Sequence, residues 1–322
     1  MAAAQRILLT GATGQDGSYL VDQLSGEGHE IHALIRPGDL LPADDRVIWR
    51  TGDLADTQSL VDIVDEVEPD IVFNLAGISS VAFSWQQPLA TVEVSGAAVA
   101  ALIEASWRLQ ERKGRTVRFV QASSSEIFGS AIESPQTETT PVRPASPYGA
   151  AKALGHSLMG IYRSRGMHAS SAILYNHESP RRPETFVTRK ITAQVARIAA
   201  GLEETLQLGN LDSRRDWGWA PDYVDAMVRM ADAESGGDYV IATGRTHSVR
   251  DFAGAAFLRA GVLDWQDRLE VDDRFKRPAD VAEMRGDPSR AREELGWSPT
   301  LAFEEIVGAM VEHDLALVRA AS

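Results

Sequence analysis

An apolar run, Ile7-Leu8-Leu9, breaks at Gly11-Ala12-Thr13-Gly14-Gln15-Asp16-Gly17 and passes at once into Ser18-Tyr19-Leu20-Val21-Asp22-Gln23-Leu24. Strand, glycine turn and amphipathic helix in that order make a nucleotide-binding βα unit. The glycines permit a tight turn and a close approach of backbone to a pyrophosphate, which then sits on the helix N-terminus. A glycine pattern alone matches many loops, but this one lies between a strand and a helix. Gly11, Thr13, Gly14, Gln15, Asp16 and Gly17 are therefore candidates for holding a dinucleotide.

The next strand-like run, His29–Ile35, bears on which dinucleotide. An acidic residue about 20 positions past the glycines would bind the ribose 2′-hydroxyl of NAD. Arg36 stands there instead. A carboxylate repels a 2′-phosphate whereas a guanidinium pairs with it, so NADP is expected over NAD.

The alternation continues. Val47–Arg50 reads as a strand, Thr57–Glu66 as a helix, Asp70–Leu75 as a strand, and roughly Leu89–Gln110 as a long helix. Arg115–Gln121, Gly149–Arg165 and Ala169–Leu174 follow as strand, helix and strand. This pattern predicts an α/β fold, a doubly wound parallel Rossmann sheet, whose ligands lie beyond the carboxyl ends of the strands. Those ends are Gly11, Asp53 with Leu54, Asn74-Leu75-Ala76-Gly77, Ser123–Glu126 and Asn176, which adds Asp53, Leu54, Leu75 and Ala76 to the cofactor candidates.

After about residue 176 the pattern loosens around Arg181-Arg182-Pro183 and Arg214-Arg215-Asp216-Trp217, with Val187–Gly201 as a helix. The expected division is a cofactor domain over 1–176, rejoined by later segments, and a smaller interleaved substrate domain over 177–322. With 322 residues and 44% hydrophobic content, the chain can bury one large core or two coupled ones. A net charge of −14 argues against a nucleic-acid partner, although local arginines can still bind an anion. Without cysteine there is no disulfide, thiolate nucleophile or cysteine metal site, and no metal is expected. The early first strand and the lack of a long hydrophobic segment lead to the expectation of a soluble cytoplasmic protein with no signal peptide or membrane span.

Tyr148-Gly149-Ala150-Ala151-Lys152 sets a tyrosine and a lysine at i and i+4, on one helix face behind Pro147. A free phenol, with pKa near 10, is a poor base at neutral pH; a neighbouring ammonium favours the phenolate and can also hold a nicotinamide ribose. Tyr-xxx-Lys alone is an ordinary amphipathic spacing. Here it follows Ser123-Ser124-Ser125-Glu126 at the end of an apolar strand, where a serine hydroxyl can bridge substrate and tyrosine.

Glycine turn, strand-end serines and helical Tyr/Lys in this order resemble an extended short-chain dehydrogenase/reductase. Longer blocks narrow the resemblance to the GDP-mannose 4,6-dehydratase family, over about residues 6–315. These are Gly14–Leu20, Ser146–Lys152, Asn176–Arg182, Val187–Lys190, Gly209–Asp212 with Arg215–Gly218, and Ile241–Gly244. The resemblance implies Ser124, Glu126, Tyr148 and Lys152 as catalytic residues, with Tyr148 and Lys152 also touching the cofactor. It implies oxidation at C4, abstraction of the C5 proton and departure of the C6 hydroxyl helped by Glu126, and return of the hydride to C6. A GDP-sugar would be contacted by Ser79, Asn176, Glu178, Val187, Lys190, Gly209, Arg215, Arg277 and Asp280; Arg189 is a further cationic candidate.

Three departures stand out. The segment Pro37–Arg46 is short and lacks the Arg-Ser-Ser-Ser-type loop that in the family reaches a neighbouring subunit. A homodimer through the helices holding Tyr148 and Leu89–Gln110 is expected, with a tetramer as the alternative. Gly77-Ile78-Ser79-Ser80 replaces the usual Ala-Gln-Ser-His near the sugar, and Asp280 stands where glutamate is usual. The competing readings are a GDP-sugar epimerase or 4-keto reductase, a dehydratase of another nucleotide-sugar, and a catalytically silent NADP-binding protein.

Overall fold

A computed structural model describes residues 4–275 and 281–321. The strands β1 (Arg6–Thr10), β2 (Glu30–Ile35), β3 (Val47–Thr51), β4 (Ile71–Asn74), β5 (Arg118–Ala122) and β6 (His168–Leu174) share one sheet with the strand Asp238–Ile241. The order across the sheet is Asp238–Ile241, β6, β5, β4, β1, β2, β3, and every pairing is parallel. Winding runs outward from β1 through β2 and β3, then restarts on the other side of β1 at β4. The crevice of a doubly wound sheet opens at that reversal.

Apart from the edge strand β3, the strands are buried on both faces, as a sheet covered by helices requires. Side chains of β1 alternate between two cores. Ile7 and Leu9 join α1 (Gln15–Gly26) through Leu20, Val21 and Leu24. Leu8 faces α2 (Thr57–Val67) through Leu60 and Val64. A third core, around Ile191, Phe252, Phe257, Val307 and Met310, lies among the helices Val187–Ala199, Val249–Arg259 and Phe303–Ala321. After Glu178 the chain returns to the main sheet through the helix Ala220–Asp232 and the strand Asp238–Ile241.

Two sequence expectations need correction. β5 begins at Arg118 rather than Arg115, because the Arg115 guanidinium is spent on Asp70 (2.6 Å) and on the carbonyls of Glu68 and Pro69. The long helix runs over Pro88–Lys113 and contains a π-helical segment, Glu93–Ala97. It is also long and apolar enough to cross a membrane, contrary to the expectation of no such segment. Half of its most apolar stretch is buried inside the protein, and its inner face (Val99, Leu102, Ile103, Leu109) packs in the second core, so it reads as a core helix.

Candidate active site

The glycine turn is built for close approach. Gly11 has φ +79° and its Cα lies against the backbone of Leu75 and Ala76. A Cβ on Gly17 would collide with the Gly11 carbonyl oxygen and with Ala12. Gly14 occupies the N-cap of α1 and offers no side chain to its first N–H groups. An uncapped helix N-terminus beside a glycine cradle suits a diphosphate. Around it stand the other cofactor candidates: Thr13 is exposed on the turn, Leu54 is buried, Leu75 and Ala76 are half-buried, and Asp53 caps the next turn by accepting from Ala55 N (2.9 Å). Arg36, at the carboxyl end of β2, is exposed and pairs with Asp39 (3.0 Å). A 2′-phosphate would compete with that carboxylate for it.

The four catalytic candidates come together at the carboxyl end of β5. Ser124 caps the short turn Ser125–Ile127 by accepting from Glu126 N (3.3 Å). Ser146 caps the helix Pro147–Ser164, accepting from Gly149 N (3.0 Å), with Pro147 in its first turn. This helix docks directly on the serine turn: a Cβ at Gly149 would lie 2.5 Å from the Glu126 carbonyl oxygen. Tyr148 and Lys152 are thereby buried at Ser124 and Glu126, with the Lys152 Nζ 5.8 Å from the centre of the Tyr148 ring. Glu126 is half-buried.

Electrostatics depart from the expectation of a phenolate-favouring pair. Burial pushes the Tyr148 phenol up to about 12, helped by the Glu126 charge and opposed by a hydrogen bond with Ser124 and by Arg182. Burial likewise brings the Lys152 ammonium down to about 8, with Asp16 pulling the other way. The Lys152 ammonium is aimed at the Ala122 carbonyl oxygen (2.8 Å), so desolvation of the phenol wins. Burial thus holds the Tyr148 phenol above its ordinary range.

Two buried polar residues that sequence reading passed over position Lys152. Thr10 Oγ1 donates to Asn74 Oδ1 (2.6 Å), and Asn74 Nδ2 donates to Gln121 Oε1 (2.7 Å). Gln121 Nε2 then donates to the Ala122 carbonyl oxygen (2.9 Å), the same oxygen that Lys152 uses. Asn74 and Gln121, polar in otherwise apolar strand runs, were the available signal.

The family model for GDP-mannose 4,6 dehydratase matches residues 8–310. The chain belongs to that family. GDP-mannose 4,6 dehydratase 2 of Arabidopsis thaliana is 45% identical over 97% of this chain and 87% of its own length. Among solved structures, the RMD protein of Pseudomonas aeruginosa complexed with NADPH aligns at TM-score 0.80 and 26% identity, covering 98% of this chain and all of that one. The UDP-glucose 4-epimerase of Thermus thermophilus in complex with NAD aligns at 0.82 and 26%, covering 96% of this chain and 98% of that one.

The substrate candidates of this dehydratase-family chain are placed unevenly. Asn176 lies one residue beyond the end of β6, after Tyr175, and opens the strand Asn176–Glu178, which pairs with Trp217–Trp219. Val187 starts the helix that carries Lys190, and Gly209 follows the strand Leu206–Leu208. Lys190 donates to the Gln207 carbonyl oxygen (2.7 Å) and lies over the Phe275 ring (3.6 Å). Arg215 is buried and donates to the carbonyls of Arg214 (2.8 Å) and Val281 (2.7 Å). Ser79 is exposed in a turn held by Ser95 of the π-helical segment, whose Oγ accepts from Ile78 N (2.9 Å). Glu178, expected at the sugar nucleotide, is turned inward: it accepts from Thr188 Oγ1 (2.6 Å), faces Arg182 (3.5 Å), and burial raises its carboxyl above the usual range. Arg189 is likewise committed to a buried ion pair with Asp314 (2.6 Å). Arg277 and Asp280 lie outside the described residues.

Proposed function

We propose that this chain is an NADP-dependent 4,6-dehydratase of GDP-mannose that forms GDP-4-dehydro-6-deoxy-mannose. The observation that carries the reading is Glu126, in the serine turn on which the Tyr148 helix docks, with its charge acting on Tyr148. An epimerase or 4-keto reductase of this fold needs the hydroxyl, tyrosine and lysine but no second acid/base. Family membership over residues 8–310 supports the same reading.

The Gly11–Gly17 turn, Arg36, Asp53-Leu54 and Leu75-Ala76 would hold NADP, with Tyr148 and Lys152 at its reactive end. Bound there, NADP would supply the hydride acceptor for C4 and the donor for C6, so no net oxidation would occur. Tyr148, hydrogen-bonded with Ser124, first releases its own proton to solvent and, as the phenolate, accepts that of the C4 hydroxyl. That transfer needs cationic help because burial disfavours the phenolate, and Lys152 is the cation on the same helix face. The C4 ketone acidifies the C5 hydrogen. Glu126 takes that proton and delivers one to the departing C6 hydroxyl, which leaves as water; once the hydride has returned to C6, C5 regains a proton, which the one taken up by Tyr148 balances. Asn176, Lys190 and Arg215 would contact the nucleotide-sugar, the two cations suiting its diphosphate.

The reading includes the two-part division at residue 176, a cytoplasmic location and a homodimer. Leu154 and Ile161 on the helix Pro147–Ser164, together with Leu89 and Val92, offer exposed apolar surface for a second copy. Incubation with GDP-mannose and catalytic NADP⁺, followed by mass spectrometry, tests the activity. Loss of one water from the sugar nucleotide without accumulation of NADPH is expected. Unchanged GDP-mannose in the presence of bound NADP⁺ would refute the substrate assignment.

A further inference from the structure

His177 sits where the two halves of the chain meet, on the strand that follows β6, against the first turn of α1. Its Nε2 lies 2.8 Å from Asp16 Oδ2 and its Nδ1 lies 2.7 Å from the Tyr175 carbonyl oxygen. A carbonyl can only accept, so Nδ1 carries a proton. Asp16 receives Gln15 Nε2 (3.1 Å) on its other oxygen and stands in the positive first turn of α1, both of which favour a carboxylate. Nε2 then also faces an acceptor, and an imidazole satisfies both neighbours only with a proton on each nitrogen.

The surroundings fix this couple in place. Gln15 Nε2 also donates to the His177 carbonyl oxygen (3.1 Å), and Ser179 Oγ donates to Gln15 Oε1 (2.9 Å). The imidazole stacks on Tyr223, ring centres 4.6 Å apart. Arg182 and Glu178 lie on the same strand and its following loop and face each other, and the Arg182 charge opposes that of His177. Tyr148 and Lys152 approach from the catalytic helix, and both feel the Asp16 charge. Burial alone would neutralise both members of the couple. Each is nonetheless shifted toward its charged form, Asp16 downward and His177 upward, because each has the other.

We propose that Asp16 and His177 form a buried charged couple that ties the glycine turn to the strand leading toward the substrate candidates: the imidazolium holds the Asp16 carboxylate, and that carboxylate keeps a proton on both ring nitrogens. Asp16 and His177 are thus positioning residues, each acting through the other.

In the ligand-free protein labelled with ¹⁵N-histidine, the His177 resonances are assigned by their loss in His177→Gln. At pH 7.5 both ring nitrogens are expected to be protonated, and Asp16→Asn, nearly the same shape, should return His177 to a single neutral tautomer. A neutral His177 at pH 7.5 in the unaltered protein overturns the proposal, whatever the variants do.

Discussion

Replacing Gly149 by alanine tests whether the docking of the catalytic helix onto the serine turn sets the chemistry. The added Cβ would lie 2.5 Å from the Glu126 carbonyl oxygen and 3.2 Å from the Pro144 Cβ. The first contact is about 0.9 Å short of ordinary van der Waals separation and falls on backbone, which cannot rotate away. Helix and turn must part by most of that distance. Overpacking of this kind costs about 1–3 kcal/mol. For a chain of 322 residues, with an unfolding entropy of about 2.1 cal/mol/K per residue, that lowers Tm by only about 1.5–4 °C. The site is affected far more, since a shift of about 1 Å among reacting groups can cost on the order of 100-fold in rate. Scanning calorimetry and steady-state dehydration assays on the same preparation should therefore diverge, with a small loss of Tm and a large loss of kcat. A Gly149→Ala enzyme that keeps more than half of its kcat would refute the idea that this contact sets the spacing of Tyr148 and Glu126.

Other expected outcomes follow from the same geometry. Burial lowers the Lys152 pKa from 10.5 to about 8, so between those values the unfolded chain binds the extra proton; the stability penalty is complete below about pH 8 and disappears as pH rises toward 10.5. Lys152→Met should accordingly raise Tm at pH 7 by about 3 °C (about 2 kcal/mol after loss of the Ala122 hydrogen bond), with the gain vanishing at about pH 9.5 and reversing above it, while turnover falls at least about 100-fold. Glu126→Gln should slow dehydration by about 10²–10⁴-fold yet still allow a burst of NADPH absorbance with GDP-mannose; normal dehydration would remove Glu126 from the mechanism. Arg36→Ala should weaken NADP about 10-fold or more and leave NAD affinity nearly unchanged, as titration of each cofactor would show. Equal losses for both cofactors would make Arg36 irrelevant to the choice.

What could be read from the chain and what could not divide along a physical line. β1 through β6, α1 and the catalytic helix announce themselves because each is a local periodic pattern with its own turn or cap, such as Gly11–Gly17 or Ser146-Pro147. The position of Tyr148 and Lys152 on one helix face follows from 3.6-residue periodicity alone. The start of β5 does not, because Arg115 is diverted by Asp70 and by carbonyls some 45 residues away. Nor does the inward turn of Glu178, whose partners Thr188 and Arg182 become neighbours only after folding. The upward shift of the Tyr148 phenol is illegible in the sequence for the same reason. Spacing along a helix shows a lysine one turn away but says nothing of burial, which here outweighs the lysine and raises the phenol. His177 shows this most fully: in the sequence it is one histidine of seven, and only the fold brings it to Asp16, 161 residues distant. Local patterns thus determine which side chains are presented to a site, whereas long-range burial determines the charge each one carries there, and the chemistry of this site depends on both.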